Sequence, residues 1–171
     1  MTSEFIDAYS DDQIYINMLE GLLEAHSAEP STEERMGYPS LSRLWAVMMV
    51  GSVECMVKEW TANRPGLSDI YAYFQDGSNE ERIQRLREAF KLRGLPLNTS
   101  AFVDFLAVKY IRNSYVHAEW NTLQRQFVAD QGFPVDIRHF DKGHFGRMKV
   151  SYEHVMNNLG MAAAFDSLHT D

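Results

Sequence analysis

The stretch TSAFVDFLAVKYIRNSYVHAEW, Thr99 to Trp120, decides how the chain is read. Advancing about 100° per residue from Phe102 places Phe105, Leu106, Val116, Trp120, Leu123 and Phe127 within about 60° of one meridian. That apolar stripe, opened by the polar residues of "LNTSAF", predicts one long helix over about residues 99–128. Val103, Ala107, Tyr110, Ile111 and Tyr115 make the other side largely apolar too. The helix is therefore expected to be buried on most of its surface, in a core or across a subunit interface. Yet Lys109, Asn113 and His117 fall inside the stripe at successive i+4 steps, and Arg112 lies on its flank. A buried polar group without a partner costs about 1–3 kcal/mol, and an unpaired charge more. These four residues need a reason.

Working outward, Pro and Gly punctuate the chain at Pro30, Gly37/Pro39, Pro65-Gly66, Gly94/Pro96, Gly132/Pro134 and Gly143/Gly146. The pieces between them are helix-length. A first helix is expected from near Ser10, where Ser10 and Gln13 form a capping-box pattern, to near His26. A second runs from about Ser40 to Ala62. The third opens with the capping box Ser78–Glu81 and stops at Gly94, with Pro96 blocking continuation. The last runs from about His144 to Leu168. No segment sustains apolar/polar alternation between turn signals, and the weakly alternating "FPVDIRHF" reads as loop. The expectation is a single all-α domain over residues 1–171, a bundle of about five helices.

Composition sets limits on function. A hydrophobic share of 45% in 171 residues is enough to bury a real core, which separates the chain from disordered sequences. Cys55 stands alone, so no intramolecular disulfide and no cysteine-based zinc site can form, and its apolar neighbours suggest an inert core thiol. The opening "MTSEFIDAYSDDQ" lacks the basic and apolar regions of a signal peptide. No run approaches about eighteen consecutive apolar residues, and "LWAVMMVGSVECMV" is short and contains Glu54. A cytoplasmic protein without a membrane span is expected.

The net charge of −8 argues against nucleic acid only until its distribution is read. Residues 1–37 hold nine acids and one base, Arg35, which accounts for the whole imbalance; residues 38–171 hold fifteen of each sign. The acidity belongs to an N-terminal segment, either a solvated helix face or a segment that shields a basic cleft or binds a partner.

On the residues alone, Arg112, Asn113 and His117 are either satisfied polar groups of a core or a working constellation. An imidazole titrates near neutrality, and a guanidinium offers planar bidentate donation to phosphoryl oxygens. Asn113 and His117 are i,i+4 neighbours able to touch. At this point "RNSYVH", Arg112 to His117, resembles the R-N-x-x-x-H form of the Arg-x(4–6)-His motif of HEPN domains. These are all-helical domains of many prokaryotic toxin, CRISPR-associated and antiviral ribonucleases. The resemblance covers about residues 10–168 and implies a HEPN-like bundle that cleaves RNA without metal or cofactor. It implies His117 as the acid/base acting on the ribose 2′-hydroxyl and Arg112 as the clamp on the scissile phosphate. Asn113 would orient either, and a cyclic phosphate end would result. A homodimer is implied, with two motifs meeting across a composite cleft, together with a role in toxin–antitoxin systems or antiviral defence and an antitoxin or regulatory protein as partner. A HEPN-like binding module without cleavage is the alternative. Toxin-type members extend the motif to His-x-Tyr, whereas Glu119 stands at that position here.

Glu54 is the best-placed supporting acid, since several HEPN proteins set an acid on an earlier helix beside the motif. The competing reading is a Glu54–Lys58 surface pair. Arg82 and Arg85 on the third helix, with Lys109, are candidates to track an RNA backbone, against the alternative of a solvated helix face. His139, Asp141 and His144 in "RHFDKGHFGR" are spaced for a metal, without other ligands in support. No phosphate-binding P-loop or dinucleotide fingerprint occurs.

Overall fold

The computed structural model describes residues 3–26, 34–117 and 120–169. Among the described residues seven α-helices follow in order: α1 Ser3–Ala25, α2 Glu34–Asn63, α3 Ser68–Tyr71, α4 Asn79–Leu92, α5 Thr99–Val116, α6 Thr122–Asp130 and α7 Lys142–His169. Single 3₁₀ turns lie at Pro65–Leu67 and Ile137–His139. The chain is 82% helical with no strand among the described residues, an all-α single domain.

α5 is the hub. Phe102, Phe105, Leu106, Ala107 and Val108 are completely buried, and α5 lies along both α7 and α2. Its start is tied down by polar contacts. Asn98 caps the helix by accepting the Ala101 N–H at 3.3 Å, and its own N–H donates to Asn158 of α7 at 2.9 Å. Ser151 donates to the Ala101 carbonyl at 2.8 Å, and Arg147 reaches Asp104 through Nε at 2.7 Å. α1 pairs with α2, where Trp45 is completely buried and donates its indole N–H to Glu20 at 3.2 Å.

The expected helix over 99–128 is two helices. α5 stops at Val116 with His117 as its C-cap, and Asn121 restarts the chain by accepting the Gln124 N–H at 2.8 Å. The break redirects the apolar stripe: Val116 is 50% exposed and Leu123 82% exposed. His117, expected inside that stripe, lies outside the helix and is exposed. The two residues after it, Ala118 and Glu119, lie outside the described residues.

Other boundaries shift for local reasons. α1 runs uninterrupted through Ser10, because no Pro or Gly precedes that residue to stop it. α2 begins six residues before Ser40 and carries Pro39, which forgoes one helical hydrogen bond. The Ser78–Glu81 capping box forms as read, and Gly94 takes the left-handed conformation (φ 64°) just past α4. Cys55 is exposed, not a core thiol. Gly37–Asn63 of α2 is long and apolar enough, by length and composition alone, to cross a membrane, yet half of its most apolar window is buried in this core. Of the nine acids in the N-terminal segment, only Asp11, Asp12, Glu20 and Glu24 have described side chains.

Candidate functional site

The polar residues of α5 converge on one carboxylate from α2. Lys109 Nζ lies 2.7 Å from Glu54 Oε1 and also donates to the Phe74 carbonyl at 3.1 Å. Arg112 Nη2 donates to Glu54 Oε2. Lys109 and Arg112 are three residues apart, so both project toward α2 from adjacent turns. The side chains are 11%, 14% and 26% exposed for Lys109, Arg112 and Glu54. This is a half-buried triad with a formal charge of +1 (two cations, one anion). Glu54 thus pairs across the helix interface and not with Lys58, which is exposed on its own helix.

Arg112 keeps unused donor capacity: its Nε is buried and has no hydrogen-bond partner. Arg82 of α4 is similar, since its Nε and Nη1 are buried without partners. Burial pushes the Tyr73 phenol well above its usual range; Arg82 pulls against that shift, while Tyr110 and Glu54 add to it. The cation from α4 and the anion from α2 therefore both act on Tyr73, whose hydroxyl donates to the Phe102 carbonyl at 2.6 Å. Arg85 is held elsewhere, donating to the Asp76 carbonyl at 2.9 Å, where it steadies the turn before α4.

His117 sits at the open end of this arrangement, exposed, its backbone N–H donating to the Asn113 carbonyl at 2.9 Å. Asn113 is half-buried. Tyr115, between them, lies under the Arg43 guanidinium at 3.3 Å from its ring centroid. That contact ties α2 to the end of α5 and leaves no trace in the sequence pattern, because Arg43 and Tyr115 meet only through the packing of the two helices.

Of the two histidines in "RHFDKGHFGR", His144 serves a helix start, while His139 lies in the 3₁₀ turn before it. Asp141 accepts the His144 N–H at 3.0 Å where α7 begins, and that bond from His144 holds its carboxyl below the usual range. Among the described residues, no group of three or more His, Cys, Asp or Glu side chains is placed to hold a metal ion.

Set beside known protein families, curated proteins and solved structures, the chain matches none of them.

Proposed function

We propose that the chain is a metal-independent endoribonuclease of HEPN type. One arrangement supports the reading most. An exposed histidine ends the helix whose preceding turns hold Arg112 and Lys109, both steadied by a carboxylate from a neighbouring helix. In this reading His117 takes the proton from the ribose 2′-hydroxyl as the 2′-oxygen attacks phosphorus. Arg112 stabilises the charge that develops on the phosphoryl oxygens. The bond to the 5′-oxygen breaks, leaving a 2′,3′-cyclic phosphate and a 5′-hydroxyl that must be protonated. A homodimer with facing motifs supplies a second His117 for that proton, and Asn113 orients the imidazole. Arg82 extends the cationic surface available to the RNA backbone, while Lys109, satisfied by Glu54 and the Phe74 carbonyl, and Arg85, committed to the turn before α4, contribute only charge. The setting is cytoplasmic, in toxin–antitoxin or antiviral defence, with a regulatory protein as the natural restraint.

The test is cleavage of end-labelled single-stranded RNA by the purified protein in EDTA, beside Arg112→Ala and His117→Ala variants of verified fold. Cyclic-phosphate ends that disappear in both variants support the reading; equal cleavage by wild type and both variants refutes it. A second reading, a HEPN-like binding module without cleavage, draws on the engagement of Arg112 by Glu54. It predicts RNA or protein binding that depends on Arg112 but not on His117.

A further inference from the structure

Beside the motif lies a concavity of about 330 Å³ at the junction of α5 and α6, walled by Ile111, Phe140, Tyr115 and Trp120 and rimmed by Arg125 and Asp136. Its size is at the small end of ligand pockets, which run from about 300 Å³ upward. In the chain, Tyr115 and Trp120 flank His117, two residues before it and three after.

Two features give the hollow a chemistry. Its aromatic walls are held in place but not used up. Arg43 covers one face of Tyr115, and Trp120, half-buried, stacks on no other ring among the described residues. Its rim carries fixed charge of both signs. Asp136 accepts from Arg138 Nε at 3.0 Å and stays ionised far below the usual carboxylate range, while Arg125 is exposed on the first turns of α6. A flat heteroaromatic ring with donors and acceptors on its edge suits such a place, because stacking needs only a π-face and the rim charges meet polar edges. A phosphate alone suits it less, since Arg125 is the only cation among the described residues that line it, the walls are mostly apolar and the Asp136 carboxylate offers an anion nothing.

We propose that this hollow is a nucleobase subsite, taking one unpaired base of RNA next to the phosphate held by Arg112. The inference rests on the ribonuclease reading for its choice of RNA, and it adds to that reading the recognition of an unstacked base. Trp120 supplies the stacking face, Tyr115 a second aromatic wall, and Arg125 a donor for the edge of the base or its own phosphate.

The experiment titrates the four 5′-nucleoside monophosphates, and ribose 5-phosphate as the base-free control, into the full chain. Intrinsic tryptophan fluorescence and calorimetry follow binding. Nucleotides are expected to quench the emission of the wild type while ribose 5-phosphate does not. The quench should vanish in Trp120→Phe, because Trp45 is fully buried and Trp60, half-buried on α2, does not line the hollow. Trp120→Ala should weaken Kd by about tenfold or more, the effect of losing one base–aromatic stack. Arg125→Ala, at an exposed position, tests the same site without touching the core. An equal response to ribose 5-phosphate, or nucleotide affinity unchanged in both Trp120→Ala and Arg125→Ala, overturns the subsite. Cleavage separates the two proposals. If RNA is cut with the same kcat/KM and the same positional preference by Trp120→Ala, the subsite fails while the nuclease reading stands. If the wild type cuts nothing yet nucleotides quench Trp120, the nuclease reading fails and the subsite stands as a nucleotide-binding site.

Discussion

Replacing Glu54 by glutamine separates a structural ion-pair triad from an incidental contact. The amide retains one oxygen for Lys109 but turns an NH₂ toward Arg112, so that two donors face each other where donor and acceptor met. Breaking one partner of a fully buried pair costs about 3–5 kcal/mol, and an exposed pair contributes about 0–1. With side chains 11–26% exposed, this triad lies between those limits. Lys109 also keeps its bond to the Phe74 carbonyl. About 2 kcal/mol is expected, which for a chain of this length lowers Tm by about 4–8 °C. The assay is urea or thermal unfolding followed by circular dichroism, run as a cycle of Glu54→Gln, Arg112→Gln and the double variant. Coupling above about 0.5 kcal/mol is the expected result, because both single variants break the same interaction. A Tm drop under about 1 °C in Glu54→Gln, or strict additivity in the cycle, would refute the reasoning.

His117→Ala should leave stability within about 0.5 kcal/mol of wild type, since the side chain is exposed beyond the end of α5; thermal melts check this, and a large loss would make the histidine structural. Asp141→Ala should cost about 1 kcal/mol at pH 7 by removing the cap of α7. The carboxyl is depressed in the folded chain, so its contribution is present above the unfolded value near 3.9 and fades as pH falls through the lower folded value. Melts from pH 7 to pH 2 should show the gap between wild type and variant closing below about pH 4. Gly94→Ala should destabilise by about 1 kcal/mol through its positive φ alone, since a Cβ there meets no atom within 4 Å; chemical denaturation measures it.

What could be read in advance followed local chemistry. The Ser78–Glu81 cap, the stop at Gly94 and the all-helical class all come from residues within a few positions of each other. The burial of α5 from Ala101 to Ile111 was equally legible from its two apolar sides. The division between α5 and α6 was not, because Asn121 restarts the helix through one side-chain bond to Gln124 without a Pro or Gly to announce it. Projecting a single helix across that break carried His117 into a stripe that ends before it. The partner of Glu54 was hidden for a different reason. Spacing along α2 suggests Lys58, whereas the choice of Lys109 and Arg112 is made by how α2 lies on α5, which no local pattern encodes.

The question posed by the polar residues of α5 divides accordingly. Lys109 is accounted for by structure, since a carboxylate and a carbonyl satisfy it inside a packed interface. Arg112 is only partly accounted for. A guanidinium carries five N–H donors in a rigid plane, and Glu54 engages it through Nη2 while Nε is left buried without an acceptor. Holding one edge of that plane fixes the direction of the others. For the nuclease proposed above, Glu54 would be an orienting group and not a competitor: phosphate would meet the small exposed part of the Arg112 side chain, not its buried Nε. The triad keeps its net positive charge either way. In that case Glu54→Gln lowers kcat through lost orientation more than it changes RNA affinity. A competitor removed would give the reverse, tighter RNA binding with cleavage intact, and single-turnover kinetics with the folded variant distinguishes the two.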